Sequence, residues 1–175
     1  MQADIARHMP SFSPTPASRA ARTPPMPKAE DTQPVRAADS PLQVFLVEDS
    51  PLFRERLTER LESIGNISVV GTADTEQSAV AALQTCAWDV AVLDLQLKLG
   101  SGLEVLRRLQ ELGRPPHTTV VVLTDHDFYL YRSKALEFGA DMFFVKSRQA
   151  NLVIKLLRDL ASKRVTSVRP DPRTA

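Results

Sequence analysis

The chain has 175 residues, enough for one domain of ordinary size plus some unpacked length. Its 22 Lys and Arg nearly cancel its 21 Asp and Glu, so no bulk basic field argues for nucleic acid or an anionic membrane as partner. The single cysteine, Cys86, excludes an internal disulfide and a multi-cysteine metal site, and its apolar surroundings predict a small buried residue.

Eight of the 13 prolines fall in residues 1–41, which carry almost no bulky apolar side chains, while all six glycines come later. Such a segment buries too little apolar surface to offset the entropy of ordering it, so residues 1–41 are expected to be disordered. No window reaches about 18 uninterrupted apolar residues and no apolar secretion segment opens the chain, which predicts a cytoplasmic protein.

From Leu42 onward, short apolar runs alternate with helical periodicity. The first run, Val44 to Val47, ends in Glu48-Asp49 and leads into a helix with Ser50 as N-cap, Pro51 at the first position and Phe53, Leu57, Leu61 and Ile64 on one face, closed by Gly65. Ile67 to Val70 forms the second run; its helix is predicted to start near Asp74 with Gln77 as capping-box partner. Val90 to Leu93 follows, then a helix through Leu103, Leu106, Leu109 and Leu112 that stops at Gly113 and Pro115-Pro116. Val120 to Leu123 precedes a helix over roughly Asp127 to Phe138, and Met142 to Val145 precedes one carrying Leu152, Val153, Leu156, Leu157 and Leu160. Continuously apolar strands suit a parallel sheet covered on both faces, so the pattern predicts a doubly wound α/β domain.

Ligands of such sheets sit beyond the carboxyl ends of the strands. Those ends carry Glu48 and Asp49, Asp94, Thr124 and Asp125, and Lys146. Two unit charges about 4 Å apart repel by roughly 4 kcal/mol at an effective dielectric near 20, so Glu48, Asp49 and Asp94 together require a cation. Hard oxygen ligands on short loops suit Mg²⁺. Taken singly, each residue has a plain structural explanation as a helix cap, a loop hydroxyl, a surface lysine or, for Phe143, a core ring; it is the joint spacing that argues for a site. The GxG that opens "GSGLEV" has Val105 where a dinucleotide loop needs its third Gly, and Gly102 reads instead as backbone relief at the start of the third helix.

The acidic pair closing the first strand, the Asp closing the third, a Thr 30 residues after that Asp and the Lys of "FFVK" 52 residues after it resemble the CheY-like receiver domain of bacterial two-component response regulators. "EDSPLFRERL" and "LTDH…FGADMFFVKS" look most like receivers that precede a helix-turn-helix domain. The resemblance implies a flavodoxin-like (βα)₅ sandwich over residues 42–163 with strand order 2-1-3-4-5, and a short disordered tail over 164–175. It further implies that Asp94 is the phosphoacceptor, that Asp49 and Asp94 ligate Mg²⁺ directly, and that Glu48 acts through water with the backbone carbonyl of Gln96 completing the shell. Lys146 would pair with phosphoryl oxygens, Thr124 would move to bond them, and Phe143, the switch aromatic, would then rotate inward.

That switch would repack the face of the fourth helix, fifth strand and fifth helix, where an output protein binds. The implied phosphodonor is a sensor histidine kinase or phosphotransfer protein, and a phosphorylation-dependent homodimer is a further implied partner. Gln96 and His126 hold positions that tune dephosphorylation in the family; Asp125 departs from the usual small residue, and Ser147 from the usual Pro. About a dozen residues follow the fifth helix, too few for an attached output domain, so the expectation is a protein-contact switch with no enzyme activity beyond its own phosphoryl transfer and autodephosphorylation, and no direct contact with nucleic acid or membrane. The alternatives are a constitutive interaction module built on a degenerate receiver, or a phosphate sink or relay. A small-molecule phosphatase is disfavoured because Leu95, not an acid/base residue, follows Asp94.

Overall fold

A computed structural model describes residues 40–166. The segment expected to be disordered lies outside the described residues except for its last two positions; of the tail expected from residue 164, positions 164–166 instead continue the last helix and the rest lies outside the described residues. Five strands, β1 (Leu42–Val47), β2 (Ile67–Ala73), β3 (Val90–Leu93), β4 (Thr119–Thr124) and β5 (Met142–Val145), alternate with α1 (Pro51–Glu62), α2 (Glu76–Thr85), α3 (Gly102–Leu112), α4 (Tyr129–Glu137) and α5 (Lys146–Thr166). The strands pair in parallel in the order β2-β1-β3-β4-β5, the flavodoxin-like arrangement expected.

Alternate strand residues feed two separate cores because successive side chains point to opposite faces. Phe45, Val47, Ala91, Leu93, Val120 and Val122 pack with α2, α3 and α4 residues such as Leu83, Leu106 and Ala135. Val44, Leu46, Val90, Val92, Val121 and Leu123 pack with Leu57 and Leu61 of α1 and Val153 and Leu157 of α5. That double burial is why these strands read as unbroken apolar runs.

Local chemistry sets the helix starts. Ser50 caps α1 through its Oγ, which accepts from Phe53 N at 3.4 Å, with Pro51 in the first turn. The α2 cap differs from the expectation: Thr75 and Ser78, not Asp74 and Gln77, form the capping box. β2 runs on to Ala73, and the Asp74 carbonyl is taken by Lys98 N, which moves the helix start onward. Asp127 does not begin α4, because its carboxylate pairs with Arg148; Phe128 takes the cap position with no side-chain bond.

Cys86 corrects the expectation of burial. It is exposed, since α2 ends at Thr85 and the backbone at Cys86 turns extended. After Lys146 there is no loop at all: α5 begins at that residue, and Gln149 Oε1 accepts from Val145 N at 2.9 Å. No cis peptide bond occurs among the described residues. Leu152, expected on the buried face of α5, is 49% exposed, and Ile154 takes the buried place. No helix among the described residues is long and apolar enough to cross a membrane.

Candidate functional site

The carboxyl ends of β1, β3, β4 and β5 bring the candidate residues together. Adjacent parallel pairing sets Val47 beside Leu93, and Glu48 N and Asp94 N extend the ladder by donating to Ala73 O and Val47 O, each at 2.9 Å. The next residues therefore emerge at one sheet edge. Carboxylate oxygens of Glu48, Asp49 and Asp94 all lie within 4.8 Å of one another, with Glu48 and Asp94 buried and Asp49 half-buried.

Lys146 supplies positive charge to two of them. Its Nζ donates to Asp94 Oδ2 at 2.6 Å and lies 2.7 Å from Glu48 Oε2, with the lysine side chain only 9% exposed. Glu48 Oε1 also accepts from Ser50 N at 3.1 Å, and Asp94 Oδ1 from Gln96 N at 3.1 Å. Burial raises the Glu48 pKa above the usual carboxylate value, and the bond and charge of Lys146 offset this only in part. For Lys146, burial is the largest single influence and disfavours the charge. The bonds and charges of Asp94 and Glu48 together outweigh it and hold the ammonium above its ordinary value.

Asp49 has no ion pair among the described residues, so the three carboxylates share the single positive charge of Lys146. Three hard oxygen donors with a net deficit of positive charge fit Mg²⁺. The α1 helix braces this corner. Arg54 Nη1 donates to the Glu48 carbonyl at 2.6 Å, and the Phe53 ring centroid lies 4.5 Å from Lys146 Nζ.

Gly102 closes the other side. Its N donates to Leu95 O at 2.9 Å, and a Cβ built there would sit 2.0 Å from Asp94 O and 2.8 Å from Leu95 Cα. Only glycine lets the start of α3 approach the Asp94 backbone this closely. Thr124 is fully buried, and its Oγ1 accepts from His126 N at 3.4 Å. The His126 ring stacks on Tyr131 of α4 with centroids 4.8 Å apart, and Phe128 lies 6.3 Å from Tyr131. Asp125 is exposed beside them.

Phe143, expected as the switch aromatic, is a core ring in this structure. It is already buried at 5% exposure, packed within the core on the α2–α4 side, and the Arg132 guanidinium covers its ring at 5.5 Å while Nη1 donates to Phe143 O at 3.5 Å. Phe53 is expected only as part of the apolar face of the first helix, and nothing in the sequence pattern links it or Arg54 to the site. Their signal was limited to their position one turn after the acidic pair. Tyr131 gave none.

The arrangement holds a buried carboxylate, Asp94, beside an ammonium, further oxygen ligands and a buried hydroxyl. This is the inventory needed to accept a transferring phosphoryl group by positioning and charge neutralisation. The family model for the response regulator receiver domain matches residues 44–158. The chain is 33% identical over 130 residues to protein-glutamate methylesterase/protein-glutamine glutaminase of Halalkalibacterium halodurans, covering 74% of this chain and 37% of that protein. It is 30% identical over 123 residues to the probable transcriptional regulatory protein NarL of Mycobacterium tuberculosis, covering 70% and 56% respectively. It thus spans little more than a third to about half the length of these relatives. Among solved structures, the signal receiver domain of NarL from Mycobacterium tuberculosis superposes with a TM-score of 0.63 at 28% identity, covering 70% of this chain and 98% of that one. The receiver domain of Thermotoga maritima CheB shares the fold, with a TM-score of 0.60 at 23% identity. With the acid cluster, the lysine and the hydroxyl at the strand ends, and with a family match over most of the described residues, this protein belongs to the response regulator receiver domains of two-component systems.

Proposed function

We propose that the chain is a phosphorylation-activated switch that accepts a phosphoryl group on Asp94 from a sensor histidine kinase or phosphotransfer protein and signals through protein contact in the cytoplasm. The observation that carries this reading is the Lys146 bridge: one ammonium spans Glu48 and Asp94 at 2.7 and 2.6 Å, so the buried Asp94 carboxyl stands beside a ready counter-ion. Asp49 and Asp94 are the direct Mg²⁺ ligands in this reading, with Glu48 acting through water and the Gln96 carbonyl completing the shell. Bound there, Mg²⁺ would neutralise charge on the carboxylates and the incoming phosphoryl group.

Asp94 attacks phosphorus as the bond to the donor breaks, and Lys146 stays against the developing charge. Thr124 then offers its hydroxyl to a phosphoryl oxygen. Because Thr124 Oγ1 now accepts from His126 N, and His126 stacks on Tyr131, movement of that hydroxyl draws on the first turn of α4. This route runs beside Phe143, which is buried. It delivers the response to the face of α4, β5 and α5, where Phe128, Tyr129 and Leu130 are 70%, 83% and 62% exposed. Asp125 and His126 flank the path of the attacking water and tune phosphoryl loss.

The test is intact-mass analysis after exposure to acetyl phosphate and Mg²⁺. An acid-labile phosphoryl adduct should form on the native chain and be absent in Asp94→Asn and without divalent cation. A chain that gains no adduct, yet holds its partner equally with and without phosphodonor, would instead be a constitutive interaction module.

A further inference from the structure

The ammonium of Lys146 has three donors, and two carboxylates engage it at 2.6 and 2.7 Å. Its remaining neighbour of note is uncharged. The Phe53 ring centroid lies 4.5 Å from Nζ, inside the distance of about 6 Å at which a π face attracts a cation. We propose that Phe53 is a positioning residue for phosphoryl transfer, its ring serving as the wall that keeps the Lys146 ammonium beside Asp94. This rests on the reading of Asp94 as phosphoacceptor and names a residue that its chemistry depends on.

The ring is itself well anchored. Phe53 N donates to the Ser50 cap at 3.4 Å, and the side chain packs against the core shared by α1 and α5. The side chain of Lys146, drawn from the first residue of α5, is 9% exposed, so the contact is largely desolvated, where such attraction is strongest. Competition explains why this matters. A bound cation would draw on Asp94 directly and on Glu48 through water, so both ionic partners of Lys146 would be shared until phosphoryl oxygens take their place. The ring is left untouched by either event. It helps hold the ammonium in place while its ionic partners change, and it blocks the direction of α1 as an escape for the lysine.

A leucine would fill much of the same space without a π face, whereas tryptophan presents a stronger one. The experiment compares Phe53→Leu and Phe53→Trp with the native full chain. Labelling by acetyl phosphate with Mg²⁺ should slow roughly fivefold or more in F53L, as expected for losing a desolvated cation–π contact, and stay within about twofold in F53W. A second readout needs neither phosphodonor nor metal: with ¹³C-labelled lysine in chelator, the Lys146 ε-methylene should show a ring-current shift that F53L loses and F53W keeps. F53L labelled at the native rate, both variants slowed equally, or a Lys146 signal unmoved in F53L would each overturn the proposal. A native chain that takes no label while the ring-current shift is present would overturn the phosphoacceptor reading on which the proposal rests.

Discussion

Lys146 at the end of β5 donates to Asp94 at the end of β3 over 2.6 Å, reaching across the intervening β4. The same Nζ meets Glu48 beyond β1 at 2.7 Å, so one lysine ties together the ends of three strands. The acid pocket therefore has a counter-ion of its own before any metal binds.

Removing that counter-ion should be costly. Lys146→Met leaves Glu48 and Asp94 buried without their cation, and breaking a buried pair in this way costs about 3–5 kcal/mol. Urea unfolding in chelator checks the value. Added Mg²⁺ should stabilise the variant more than the native chain, because it then supplies the missing charge; a loss below about 1 kcal/mol would mean that the bridge contributes little.

Gly102 is expected to tolerate nothing larger. In Gly102→Ala the new Cβ meets Asp94 O at 2.0 Å and Leu95 Cα at 2.8 Å, both backbone and neither able to swing aside. Overpacking of this kind costs about 1–3 kcal/mol. Since the atom that must shift belongs to the phosphoacceptor, phosphoryl uptake should fall on the order of 10–100-fold as well. Native uptake with lowered stability would separate the two roles.

Coupling through Thr124, His126 and Tyr131 predicts a local dynamic response. In the native chain, phosphodonor should alter hydrogen exchange of amides in residues 127–137, because α4 is anchored by one buried residue, Ala135, and by the ring stack. His126→Ala should still take the phosphoryl group but lose most of that response. An unchanged exchange pattern in the variant would move the coupling to the Phe143–Arg132 contact.

Acid stability should report Asp141. Its carboxylate accepts from Val120 N and Arg114 Nη1 at 2.7 Å and from Arg114 Nη2 at 3.0 Å. Burial works to raise its pKa, but Arg114 and the Val120 amide together pull it below the usual 3.8. A lowered folded value means that the stabilisation is complete above about pH 4 and is lost as pH falls through the folded pKa. With its side chain 36% exposed and screened by solvent, Asp141→Asn should cost no more than about 1 kcal/mol at pH 7, and the gap to the native chain should narrow below pH 3.8. A gap that is the same at pH 7 and in acid would assign the loss to packing.

Legibility differed between elements for physical reasons. β3 and β5 stand at the limits their apolar runs indicate, since a strand covered on both faces is marked by each of its residues. The starts of α2 and α4 were displaced because Asp74 and Asp127, good caps by residue type, are engaged elsewhere by Lys98 N and Arg148. Cys86 read as core because its neighbours are apolar, but the end of a helix turns it outward.

By itself the sequence determined the alternation of strands and helices, the family, and which residues stand at the carboxyl ends of the strands, because these follow from periodicity and from spacing along the chain. Only the tertiary structure decided what each of them touches. That Lys146 already bridges two carboxylates, that Phe143 is buried beneath Arg132, and that Phe53 and Gly102 wall the site from two helices all depend on contacts between segments far apart in the chain. Such contacts are set by how strands stack side by side and helices close over them, and no local pattern of residues encodes them.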